Sequence, residues 1–212
     1  QVILLDDGFQ HRRLARDLDI VLLDATQPFG YGHLIPRGTL REPVSSLRRA
    51  QVVCLSRADQ VDASRREEIR ERVHQVAPQA AWCEAAHKPQ GLLADNGTNE
   101  SLDQLRGQRV AAFSGIGNPT AFRHTLETLG CEIAAWREFP DHHPYTAADV
   151  KELDAWAKDQ TVESVLCTHK DLVKLQLNQL GKCPLRAVVV EMSILTGQAE
   201  LEAILAGTLR VP

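Results

Sequence analysis

Val2-Ile3-Leu4-Leu5-Asp6-Asp7-Gly8-Phe9-Gln10-His11 opens the chain with four apolar residues, two adjacent carboxylates and a glycine. A short, uninterrupted apolar run followed by a turn predicts a strand buried on both faces, which needs neighbours and cover on each side. In open α/β sheets, ligands bind beyond the carboxyl ends of the strands, so Asp6 and Asp7 would face such a site. Acids placed there can hold Mg²⁺, as the Walker B acid does, or can merely cap the turn. The residues alone leave both readings open.

Outward from this stretch the same grammar repeats. Apolar runs at 19–23 and 51–55 read as the next strands, and 63–73 as a charged helix packed through Ile69 and Val73. Residues 27–43, with Pro28, Gly30, Gly32, Pro36, Gly38 and Pro43, hold too many breakers for a regular helix and predict a long loop. That loop offers Arg37, Arg41 and several backbone amides to a phosphorylated ligand. Its Leu34, Ile35 and Arg37 neighbourhood is suited to touching lipid or to packing within the loop.

Pro89, Gly91, Asn96-Gly97 and Gly107 break all periodicity between 88 and 107, and a boundary is expected there. Residues 1–107 would form one unit and 108–212 a second, smaller α/β domain. In the latter, strands are expected at 109–113, 131–136, 162–167 and 185–190, with helices at 120–129, 147–158, 171–180 and 197–205. Alternating strands and helices place the fold in the α/β class with a largely parallel sheet.

The 212 residues carry 24 basic and 28 acidic side chains, a formal charge of −4, which argues against a dedicated nucleic-acid binder. Arginines in 65–72 alternate with glutamates and read as a solvated face. The 5 cysteines are dispersed with no C-x-x-C pair, which argues against a disulfide framework or a structural zinc site and suits a reducing cytosol. No run reaches the length of a membrane span. Gly115-Ile116-Gly117 follows a strand, but Thr120 stands where a dinucleotide fingerprint has its third glycine, so it reads as a structural turn. Leu55-Ser56-Arg57-Ala58-Asp59 loosely matches a base-recognition N-K-x-D.

Six ordered phrases, however, resemble the tetraacyldisaccharide 4′-kinase family of lipid A biosynthesis. They are D-D-G-F-Q-H-R at 6–12, D-A-T-x-P-F-G at 24–30, L-R-E-P at 40–43, F-S-G-I-G-N-P at 113–119, F-x-D-H-H-x-Y-T at 139–146 and T-x-K-D-x-V-K-L at 168–175. The resemblance implies a P-loop-kinase-like sheet, ATP as phosphate donor, Mg²⁺, and an acylated disaccharide 1-phosphate as acceptor at the cytoplasmic face of the bacterial inner membrane. It implies Asp6, Asp7 and Glu42 as metal-associated acids and Gln10, His11 and Arg41 as substrate-binding groups. It implies Asp6, Asp7 and His142 as the catalytic residues, His142 by supporting the catalytic carboxylate, with His143 as the fallback. His169 departs from the acid usual at its position.

The family's G-x-x-x-x-G-K-[ST] loop does not occur; the only Gly-Lys pair, Gly181-Lys182, precedes Cys183. The resemblance therefore implies a C-terminal two-thirds of a longer kinase, with the phosphate loop, general base and membrane anchor upstream, and no turnover by this piece alone. Two other readings fit the residues: a non-catalytic module that binds nucleotide sugars or acylated sugars, and a metal-dependent phosphohydrolase using Asp6 and Asp7.

Overall fold

The computed structural model describes residues 2–94 and 97–209. In chain order its regular elements are β1 (Ile20–Asp24), β2 (Val52–Ser56), α1 (Ala63–Val76), β3 (Ala81–Ala94), β4 (Asn99–Glu100), β5 (Arg109–Ser114), α2 (Pro119–Thr128), β6 (Glu132–Glu138), α3 (Ala147–Lys158), β7 (Ser164–Thr168), α4 (His169–Leu175), β8 (Gln179–Leu180), β9 (Cys183–Thr196) and α5 (Gln198–Leu209). Two compact units result: Gln1–His87 with Met192–Pro212, and Lys88–Glu191. The division expected at 107/108 thus falls inside the second unit, and α5 lies with the first. The chain leaves the first unit within β3 and returns to it within β9.

In the first unit β1 pairs with β2, and β2 with β3, all parallel, with Ile20 opposite Val52 and Cys54 opposite Cys83. Helix α1 starts at Asp62, whose side chain accepts from the Arg65 amide, and buries Ile69 and Val73. These two join Phe29, Leu47, Val53 and Leu55 in one core on that side. The alternate side chains Val52, Cys54, Cys83 and Ala85 form another core with Leu201 and Ile204 of α5 packed against it.

In the second unit β5 pairs with β6 and β7, and β7 with β9, again all parallel. The short strands β4 and β8 add antiparallel pairs to β3 and β9. Pro119 at the start of α2 and the capping box of Thr146 and Asp149 on α3 fix where the helices begin. Phe113, Leu153, Val165 and Leu185 fill one core, and Leu105, Val110, Phe122 and Leu166 another.

Three expectations fail. Residues 2–5 form no strand: Ile3 is 93% and Leu4 91% exposed, and no described strand pairs with them to satisfy their backbone groups. The expected helix over 171–180 stops at Leu175 because Gln176 turns left-handed (φ 53°), and residues 179–180 become β8. Finally, the sequence reading does not foresee β3, since Pro89 and Gly91 lie inside it; the strand pairs with β2 over Ala81–Glu84 and with β4 at Leu92 and Leu93, on either side of these two residues.

Candidate functional site

In the first unit, the segment after Leu5 is a chain of tight turns rather than a strand end. Asp7 takes a left-handed conformation (φ 52°), and the Leu5 side chain lies against Gly8, where a Cβ would come within 2.4 Å of it and push it aside. The His11 amide donates to the Gly8 carbonyl, and the Arg16 guanidinium donates to the carbonyls of Gly8 (2.9 Å) and His11 (2.8 Å). The turn is thereby knotted on itself, with Asp6, Asp7, Gln10 and His11 exposed.

Two arginines tie this segment to the loop that follows β1. Arg41 donates to Asp7 Oδ2 at 2.5 Å. Arg49 donates to Glu42 Oε2 at 2.6 Å and to the Phe9 carbonyl at 3.2 Å, and its guanidinium lies 4.3 Å over the Phe9 ring. The hydrogen bond from Arg49 holds the Glu42 carboxyl below its ordinary value. A pocket of about 160 Å³ is lined by Phe9, Gln10, Phe29, Leu40, Arg41 and Glu42 among others, so three of the singled-out phrases, 6–12, 24–30 and 40–43, meet at one place. Asp24, the end of β1, binds its own turn through Thr26 and pairs with Arg57 at 2.9 Å.

The expected metal set is not assembled. Among the described residues no three His, Cys, Asp or Glu side chains converge to hold a metal. Asp7 and Glu42 each face an arginine, whereas Asp6 is exposed. Arg49 escaped the sequence reading; its signal was a basic residue seven positions after Glu42 in a short helical turn, Val44–Arg49, that places it back over the glutamate.

In the second unit the other three phrases also converge. Asp171 is fully buried and accepts hydrogen bonds from the Gly115 amide (3.1 Å), the Tyr145 hydroxyl (3.0 Å) and the Thr168 hydroxyl (2.6 Å). Gly115 is closely packed: a Cβ would sit 3.0 Å from Tyr145 Oη and 3.1 Å from Asp171 Oδ1, so both would have to give by a few tenths of an ångström. Burial, reinforced by Asp171, pushes the Tyr145 phenol far above its ordinary pKa and keeps it a donor.

The two histidines differ sharply. His142 has a left-handed backbone (φ 58°) and a side chain 79% exposed, 3.9 Å from the Asp141 carboxylate. His143 is packed between the rings of Phe139 and Tyr145, with Nε2 3.1 Å from Asp149 Oδ2, and its carbonyl accepts from Lys174 Nζ. Hydrogen bonds from Thr146, and then His143, hold the Asp149 carboxyl below its usual range. His169 is exposed.

Residues 1–210 match the family model described as Tetraacyldisaccharide-1-P 4'-kinase, LpxK. The Tetraacyldisaccharide 4'-kinase of Anaeromyxobacter dehalogenans strain 2CP-C is 47% identical over 211 residues, 96% of this chain and 54% of that protein. That of Syntrophus aciditrophicus is 39% identical, covering 91% of this chain and 54% of that protein. The crystal structure of LpxK from Aquifex aeolicus in complex with ATP superimposes with a TM-score of 0.68 at 29% identity, covering 96% of this chain and 56% of that one. The chain thus spans about half the length of the relatives it matches, rather than two-thirds.

Proposed function

Since this chain belongs to the tetraacyldisaccharide-1-phosphate 4′-kinase family, we propose that the protein it represents transfers the γ-phosphate of ATP to the 4′-hydroxyl of a tetraacyldisaccharide 1-phosphate. The observation that carries this reading is the match over residues 1–210, supported by the meeting of three family phrases around one pocket. Phosphoryl transfer asks a protein mainly to position phosphates and to balance charge as the bond to the leaving oxygen lengthens. Arg41 supplies a planar guanidinium for phosphate oxygens; it exchanges Asp7 for them, or holds both. Gln10, which lines the pocket with Arg41, and His11, which is exposed next to it in the chain, offer polar contacts to the acceptor sugar.

The donor set fits Mg²⁺ in one mode only. Hard carboxylate oxygens suit the ion, which is commonly bound through one or two carboxylates with substrate phosphates completing its shell. Asp6, which has no partner among the described residues, and Asp7 would hold it, with Glu42 helping only if Arg49 lets go. When bound it would neutralise charge on the phosphates. His142, exposed and 3.9 Å from the Asp141 carboxylate, is the group proposed to support a catalytic carboxylate, while His143 orders the surrounding turn.

No helix among the described residues is long and apolar enough to cross a membrane. Work on an acylated acceptor at the inner face of the bacterial inner membrane is proposed for the protein as a whole. The 212 residues contain no phosphate-loop sequence, and turnover by them alone is not expected.

The test is Mg²⁺-dependent transfer of labelled phosphate from ATP to tetraacyldisaccharide 1-phosphate in detergent micelles, by these 212 residues and by the same residues joined to the N-terminal segment of a relative. Label in the lipid only with the joined protein is expected. Inactivity of a folded joined protein would instead favour a binding module, and release of phosphate from esters without ATP a hydrolase.

A further inference from the structure

The loop Gly30–Arg41 holds its apolar side chains away from the protein. Residues 31–37 are all exposed, with Tyr31 73%, Leu34 46% and Ile35 61% accessible. This is not slackness of the backbone. The His33 and Thr39 amides donate to the Gly30 carbonyl, Gly38 to Leu34, Leu40 to His33, and Ile35 to Leu40, while Leu34 and Leu40 form a β-bridge. Gly38 is wedged so tightly against the loop's stem that a Cβ would come within 2.2 Å of the His33 carbonyl oxygen and 2.3 Å of that of Gly30. A stem bonded this fully keeps Tyr31, Leu34 and Ile35 from folding inward onto the core beside them.

The charge of the loop is one-sided. From Ala25 to Arg41 there is no acidic residue, while His33, Arg37 and Arg41 are present. Arg41 is engaged by Asp7, but Arg37 has no ion-pair partner among the described residues. An aromatic and two branched aliphatic side chains on a rigid tip, next to a free guanidinium and no carboxylate, match the interface of an anionic bilayer: apolar groups enter the acyl boundary and the cation meets the headgroups.

We propose that the tip formed by Tyr31, Leu34, Ile35 and Arg37 inserts into the interfacial layer of an anionic membrane. This rests on the reading of the protein as a kinase of a membrane lipid, and it adds a contact made by this chain's own loop, apart from any anchor elsewhere. The tip follows Phe29 and precedes Leu40, both of which line the pocket, so insertion would set the pocket's height above the lipid.

The test uses the full-length protein and vesicles of phosphatidylcholine with or without phosphatidylglycerol. Tyr31→Ser/Leu34→Ser/Ile35→Ser is expected to lower partition onto the anionic vesicles about tenfold or more, with an unchanged thermal unfolding midpoint and unchanged transfer to substrate in detergent micelles. Separately, the fluorescence of Leu34→Trp, after subtraction of the parent protein's signal, should shift to the blue on vesicle addition and be quenched by lipids carrying a shallow nitroxide.

Equal partition of the triple variant, or a Leu34→Trp signal untouched by the quencher while the protein is bound, would overturn the proposal. A signal already blue before vesicles are added would overturn it too, since the tip would then pack against another part of the protein. Micellar activity reports on the kinase reading independently, so loss of that activity in the parent protein would sink the function without deciding the membrane contact.

Discussion

Tyr145 donates its hydroxyl hydrogen to Asp171 Oδ1 over 3.0 Å, joining two segments 26 residues apart at a carboxylate that is fully buried. The same carboxylate takes the Gly115 amide and the Thr168 hydroxyl. A buried acid with three donors holds the strand–turn at Gly115, the histidine segment and the start of α4 in one arrangement. Asp171→Ala strands all three donors and is expected to lower stability by roughly 2–4 kcal/mol, against about 1 kcal/mol for Tyr145→Phe. Urea unfolding followed by circular dichroism measures both; similar losses for the two would mean that Tyr145 is the acid's main partner.

The ion pair of Arg41 and Asp7 is exposed and contributes little to stability. Its proposed value is functional, so Arg41→Ala in the full-length kinase should reduce phosphate transfer on the order of 100-fold while leaving the unfolding midpoint nearly unchanged. Exchanging the two residues separates the roles. If Asp7→Arg/Arg41→Asp restores activity, the pair itself is what matters and the guanidinium does not meet phosphate.

Glu42 gives a signed pH prediction. Its carboxyl is held below the ordinary 4.5 by the hydrogen bond from Arg49, so the folded state binds its proton less readily than the unfolded chain. The associated stability is fully present above pH 4.5 and is lost as the pH falls through the lower folded value. Below pH 4.5 the parent protein should therefore lose stability more steeply than Arg49→Gln. Parallel denaturation midpoints from pH 6 to 3 would contradict this.

Gly38→Ala forces a methyl group into two backbone carbonyls that have no flexible end to move. The loop must open, and cleavage by a broad-specificity protease should concentrate between residues 30 and 41 while the rest of the chain stays resistant. Mass spectrometry of the first fragments locates the cut. Unchanged digestion would show that the stem has slack.

Among the thiols, Cys167 is the inert extreme: it is completely buried, and desolvation pushes its pKa well up. Iodoacetamide should modify the half-buried Cys183 in the native protein, and more slowly Cys131, whose thiol burial also pushes up, and should reach Cys167 only in urea. Labelling of Cys167 without denaturant would point to local opening of β7.

Sequence patterns reported what depends on neighbours along the chain. The turn at Asp6 to Gly8, the α1 face of Ile69 and Val73, and the parallel α/β alternation were legible because each is set by spacing and by residues with fixed backbone habits. What depends on distant partners was not. Val2–Leu5 has a strand's composition but no pairing strand among the described residues, and β3 is a strand despite Pro89 because its partners supply the ladder. Arg49 lay unseen because only the folded turn at 44–49 brings it back to Glu42 and Phe9. Adjacent histidines cannot be told apart by spacing; the left-handed backbone at His142 is what sends one ring outward and leaves the other between Phe139 and Tyr145.

The two long strands through which the chain passes between its units set an order on biosynthesis. Residues 88–191 are contiguous and can condense once the ribosome has released them. The first unit cannot finish then, although its first 87 residues emerged earlier, because Leu201 and Ile204 complete the side of the sheet where Val52, Cys54 and Cys83 lie. The part of this chain that carries Asp7, Arg41 and Glu42 is thus translated before residues 88–191 and sealed after them. A nascent chain halted before α5 would carry a finished second unit while the first still bared an apolar face of its sheet.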